Sequence, residues 1–145
     1  MLKCGNWERG DIEGVRQKIN EFGAQQVVTA QLEGWTCLHM AAHWGYPNII
    51  DLLIENGADL DPENGPGVTP LREAIKWREY SCITTLIKLG ADLEMAKVAN
   101  HGRRRFDSSM RDEKTKAAIA EGQRLAGEKQ KKQKVCNGDD CQTFA

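Results

Sequence analysis

His39 and His43 stand four residues apart, the spacing that puts two imidazoles on one helix face and lets them share a zinc ion. In a zinc protease of that kind a glutamate follows the first histidine and acts as general base; here that residue is Met40. The remaining histidine, His101, is far along the chain, and no carboxylate spacing completes a ligand set. Cys136 and Cys141 enclose four residues, and two thiolates without a second pair do not make a zinc site. They read as free thiols on a solvated tail. Two basic runs, Arg103–Arg105 and Lys129–Lys134, suit an acidic partner surface or, as a minor alternative, nucleic acid. Phe106 is the one ring beside them that a base could stack on. Glycine-rich phosphate loops, nucleophile elbows and paired catalytic carboxylates are missing from the sequence, so no catalytic residue, metal, cofactor or small-molecule substrate is expected.

The notable large side chains are aromatic, and they are spaced regularly. Trp44 and Trp77 are 33 residues apart; His43 and Lys76 share that offset, as do Trp35 and Val68. The offset belongs to whole segments. Gly34-Trp35-Thr36-Cys37-Leu38-His39-Met40-Ala41-Ala42 aligns with Gly67-Val68-Thr69-Pro70-Leu71-Arg72-Glu73-Ala74-Ile75, and Gly57-Ala58-Asp59-Leu60 aligns with Gly90-Ala91-Asp92-Leu93, without an insertion. Thr69 suits a helix N-cap, and Pro70 suits the first helical position, where a missing N–H costs nothing. Leu71, Ala74 and Ile75 make an apolar stripe at helical spacing. A second helix follows, carrying Ile49, Ile50, Leu52 and Leu53 in one unit and Cys82, Ile83, Leu86 and Ile87 in the next; Gly57 and Gly90 end it.

This pattern resembles the ankyrin repeat, whose T-P-L-H-x-A signature is matched by Thr36-Cys37-Leu38-His39-Met40-Ala41 and by Thr69-Pro70-Leu71-Arg72-Glu73-Ala74. Two clear repeats are assigned to 31–63 and 64–96. A degenerate N-terminal capping repeat precedes them: Gly10-Asp11-Ile12-Glu13-Gly14-Val15 matches Gly45–Ile50 at an offset of 35, with a short first helix near Leu2–Arg9. The resemblance implies an all-α solenoid of stacked helix-turn-helix units with a C-terminal helical extension. The expected division is an ankyrin domain at 1–100 and a basic extension at 101–145. At the end of the ankyrin domain Leu93–Ala99 opens a C-terminal cap; in the extension Gly102–Phe106 is a basic loop, Ser109–Asp112 starts a helix at about 109–127, and a polar, mobile tail follows. Gly122 and Gly127 weaken the extension helix.

In the family, turns and first helices line a concave surface that takes folded protein partners. The resemblance therefore makes Trp35, His43, Trp44, Val68, Lys76 and Trp77 the partner-binding residues; the charge of the basic run adds Arg103, Arg104 and Arg105 as a secondary contact. Trp is enriched among interface hot spots; packing at the edge of the core is the competing role for the same rings. His39 matches the family's structural histidine. Arg72 departs from it, which leaves the third repeat's turn either less rigid or held by an ion pair.

Composition agrees with an interaction protein. The net charge of −1 divides into −6 for residues 1–95 (8 basic, 14 acidic) and +5 for 96–145 (12 basic, 7 acidic). The first ten residues lack the apolar run of a secretory signal, and no stretch is long and apolar enough to cross a membrane. With an odd count of five cysteines this favours a reducing interior, the cytoplasm first and the nucleus or an organelle interior as alternatives. The expected function is a non-catalytic adaptor or accessory subunit of a larger assembly, the alternatives being a regulatory inhibitor of a partner enzyme or a nucleic-acid-associated factor using the basic extension.

Overall fold

The computed structural model describes residues 10–98 and 103–135, and at 32, 98, 103–106 and 129–135 the backbone alone. In chain order the elements are α1 (Ile12–Phe22), α2 (Ala24–Thr29), β1 (Gln31–Leu32), β2 (Trp35–Thr36), α3 (Cys37–Trp44), α4 (Pro47–Glu55), α5 (Pro70–Trp77), α6 (Tyr80–Leu89), α7 (Leu93–Val98), α8 (Arg103–Arg111) and α9 (Glu113–Val135). The expected first helix near Leu2–Arg9 lies outside the described residues, as do His101 and both tail cysteines.

Helix starts fall on one period. From α3 to α5 to α8, and from α4 to α6 to α9, each step is 33 residues. First helices pack on first helices (α3 on α5, α5 on α8), and second helices on second helices (α1 on α4, α4 on α6, α6 on α9). The sequence explains the central units. Thr36 and Thr69 accept hydrogen bonds from the backbone N–H of His39 and Arg72, and Pro70 occupies the first turn of α5. Leu38, Ala41, Ile50 and Leu53 then pack with Leu71, Ala74, Ile83 and Leu86 in one buried core. Each fully buried aliphatic chain contributes about 1.5–3 kcal/mol. Ala41, Ala42 and Ala74 are small enough to let the layers close.

The C-terminal part corrects the reading from sequence. Instead of one helix at about 109–127, two helices meet at Asp112, whose carboxylate accepts the Thr115 N–H at 3.2 Å and caps α9. The expected basic loop Gly102–Phe106 is helical from Arg103 onward, and α9 continues through the expected mobile segment to Val135; 136–145 lie outside the described residues. Helix α7, expected to open the cap, is a connecting helix packed on α5, while α8 and α9 are the helix pair of a fourth unit. Gly122 lies where α9 approaches α6 closely. A Cβ there would come within 2.8 Å of Ile87 Cβ and 2.9 Å of the Thr84 carbonyl. The missing side chain that weakens an isolated helix lets this one seat. Thr84 Oγ1 donates to the Ala118 carbonyl at 3.2 Å, and Tyr80 Oη donates to Asp112 at 3.0 Å.

Candidate protein-binding face

Projecting turns bring the aromatic residues onto the ends of the first helices. β1 and β2 pair antiparallel, Gln31 with Thr36 and Leu32 with Trp35, around a two-residue turn in which Glu33 and Gly34 both have positive φ (53° and 82°). Such turns match the natural twist of a hairpin, and this one delivers Trp35 to the start of α3. The next turn folds back on itself: the Gly67 N–H donates to the Asn64 carbonyl at 2.8 Å, and the Val68 N–H donates to Asn64 Oδ1 at 2.9 Å. The two turns abut, since a Cβ on Gly34 would lie 3.1 Å from the Gly65 nitrogen.

His39 joins them. Its Nε2 sits 2.6 Å from the Val68 carbonyl, which can only accept, so Nε2 carries the proton. Nδ1 then accepts the Thr36 N–H at 3.3 Å and lies 3.0 Å from the Thr36 hydroxyl. Both ring nitrogens are committed within the protein, so the His39–His43 pair is no metal site. Burial holds the His39 imidazole below its ordinary value against the opposing pull of the Val68 carbonyl and Glu73, which keeps it neutral. Among the described residues no group of three His, Cys, Asp or Glu is placed to hold a metal. Burial, with the Glu79 charge, pushes the Cys82 thiol up to about 12, far from a usable nucleophile.

Around His43 the structure gathers most of the expected contact residues. Its ring is 4.8 Å from Trp77, 5.2 Å from Trp44 and 6.0 Å from Trp35, centre to centre and edge-on to each. Beneath them lies Glu73, only 2% exposed in its side chain. Its carboxylate accepts from Trp77 Nε1 at 2.9 Å and Lys76 Nζ at 3.2 Å, and His43 Nδ1 is 3.3 Å away. Lys76 Nζ also stands 5.5 Å over the Trp77 ring. Trp77 is thus oriented by its own unit. Trp44 is 44% exposed, and with Trp35, Met40 and His43 it lines an open cleft of about 210 Å³.

Two expectations require correction. Val68 is not an exposed contact: it is 4% exposed, because the turn folds inward to bury its side chain and use its N–H and carbonyl. Arg72 does not leave its turn loose: it is buried and donates from its guanidinium to the Ala96 carbonyl on α7. It ties its unit to the next connecting segment, as His39 does, with a longer arm. Arg103–Arg105 form the first turn of α8, but their side chains lie outside the described set. Glu73 was missed. A carboxylate where the preceding unit has Met40, with Lys76 and Trp77 three and four residues on, is the signal that would have found it.

Stacked helix pairs at a fixed period, with abutting turns and a structural histidine bridging them, define a repeat solenoid. The ankyrin-repeat family profile matches residues 6–97 as three copies, and the chain belongs to this family. Among curated relatives, it is 32% identical over 87 residues to serine/threonine-protein kinase 12 of Arabidopsis thaliana, covering 60% of this chain and 18% of that protein. It is 32% identical over 105 residues to protein phosphatase 1 regulatory subunit 12A of Mus musculus (72% and 10%). It is likewise 32% identical over 95 residues to rabankyrin-5 of Mus musculus (66% and 8%). The chain thus spans less than a fifth of the length of these relatives. Ankyrin repeats are protein–protein interaction modules, generally without catalysis of their own. No described helix is long and apolar enough to cross a membrane.

Proposed function

We propose that the chain is a non-catalytic adaptor or accessory subunit that docks a protein partner on the concave face lined by its turns and the ends of α3 and α5. The observation that carries this reading is Trp44, a large aromatic exposed beside an apolar cleft on a framework that holds its neighbours still. Exposed aromatic clusters on rigid scaffolds mark binding sites, and tryptophan dominates the energy of many interfaces. Trp35, His43, Lys76 and Trp77 supply the surround, and the basic extension offers a second contact.

The test is affinity capture from cell extract with wild-type chain and with Trp44→Ser, identified by mass spectrometry. Partners retained by wild type and lost with Trp44→Ser support the reading; an unchanged partner set refutes it. The regulatory-inhibitor alternative draws on the similarity to a phosphatase regulatory subunit and is separated by whether the captured partner's activity changes when the chain is added. The nucleic-acid alternative is tested by replacing Lys129, Lys131, Lys132 and Lys134 with Gln. Deleting 101–145 would strip α9 from α6 and confuse lost binding with lost folding.

A further inference from the structure

We infer that the partner segment on this face is basic: one large apolar side chain fills the Trp35–Met40–Trp44 cleft, and neighbouring arginines or lysines reach Glu33 and Glu63. The inference rests on the docking reading above and names the chemistry of what docks.

The cleft sets the first half of this description. Its volume, about 210 Å³, is roughly seven times the share of one water molecule in the liquid, room for a single large side chain. Two indoles, a thioether and the edge of His43 form its walls, so an apolar group gains there and a charged one loses solvation.

Charge sets the second half. Of the described cations on the first helices, Lys76 is engaged by Glu73 and Arg72 by the Ala96 carbonyl inside the protein, while Arg78 is exposed at the C-cap of α5. The acids point outward. Glu33 and Glu63 are both exposed, and the Gly34–Gly65 approach puts them on abutting turn tips, Glu33 two residues before Trp35. Neither forms an ion pair among the described residues. Along the same connecting segments Asp61 accepts the Asp92 N–H at 3.1 Å, and the charges of Asp92 and Asp59 add to the burial that raises its carboxyl above the ordinary range. Acids that disfavour one another's ionisation gain from an incoming cation. The excess of acids over bases in residues 1–95, 14 against 8, favours a cation at contact with this part of the chain. An indole face open to solvent also favours a guanidinium beside the apolar anchor.

The experiment pans a random short-peptide phage library on the full chain, then measures the selected peptides by fluorescence anisotropy at low and high salt. Selected peptides are expected to carry one large apolar residue flanked by Arg or Lys, with binding that weakens as salt rises. Trp44→Ser should weaken them by about tenfold or more. The Glu33→Gln/Glu63→Gln double variant should weaken them several-fold and flatten the salt dependence. Both variants alter exposed side chains, and unchanged thermal unfolding verifies that they fold. Acidic or uncharged selected peptides, or affinity indifferent to the Glu pair, overturn the basic-partner inference while leaving the docking face intact. Indifference to Trp44→Ser, or no selected peptide at all, overturns both. Sedimentation of the chain alone supplies the last arm: self-association abolished by Trp44→Ser would make a second copy the occupant and refute the inference.

Discussion

Trp44 and Trp77 close the first helices of successive units at the same register, yet they meet different surroundings. Four residues before Trp77 stands Glu73, buried, taking the indole N–H and fixing the ring. Four residues before Trp44 stands Met40, which offers no acceptor of that strength, and the ring stays partly in solvent over a cleft. The same contrast recurs along the two helices: His39 against Arg72 at the bridge to the next turn, Gly45 against Arg78 at the helix end. The repeat period assigns a position to each side chain, and the neighbour one helical turn away decides whether it serves the core or the surface.

Breaking that contrast at its buried end should have the largest effect. Glu73→Ala leaves the donors of Trp77, Lys76 and His43 without their acceptor. Because Lys76 and His43 keep some contact with water, the expected loss is about 2–3 kcal/mol, below the full cost of a broken buried pair. Urea unfolding measures it, with tryptophan fluorescence reporting release of the Trp77 ring; a loss under about 0.5 kcal/mol would show the node to be idle.

The His39–Arg72 difference has a pH signature. Burial depresses the folded-state pKa of His39 below 6.5, so the unfolded chain takes up a proton first as pH falls. The stabilisation is complete above pH 6.5 and is lost as pH drops through that value towards the depressed one, by up to about 1.4 kcal/mol per pH unit. Arg72 at the same register contributes nothing over that range. Subtracting the pH profile of His39→Asn from that of wild type should leave this slope; a flat difference contradicts it. Arg78 ends α5 at φ 61°, where the preceding unit has Gly45 at φ 80°. Arg78→Gly should therefore stabilise by about 1 kcal/mol, seen as a rise of a few degrees in Tm. The smallest effect belongs to Trp44→Ser, expected within about 0.5 kcal/mol of wild type, because the ring does its work outside the fold. A large loss there would move Trp44 into the core and sharpen the contrast away.

The central units were legible because Thr, Leu, Ala and Gly recur where caps, stripes and helix ends need them. The fourth unit was not. At the positions of Ala74 and Ile75 it has Asp107 and Ser108, so the apolar stripe vanishes while the backbone keeps its 33-residue step. Ser109–Asp112 looked like a helix start because Asp112 does cap a helix, the one that begins after it. At the candidate face Trp44 and Trp77 could be placed by period alone. Val68 could not, since an inward-folding turn and an outward-facing one have the same register until the Asn64 hydrogen bonds are known. Glu73 stayed hidden because a charged residue on a first helix reads as solvated: its own-helix partners Lys76 and Trp77 were in the sequence, but its burial against His43 of the preceding unit was not.

The bare backbone at Gly122 bears on how the stack comes apart. In a linear array each member leans only on its neighbours, and melting usually nibbles inward from the ends. Here α9 is seated so closely on Ile87 and Thr84 that peeling it away uncovers the interior of the adjoining unit. Unfolding of α9 is therefore expected to be coupled to unfolding of α6 beneath it, a coupling that amide exchange would read as shared protection.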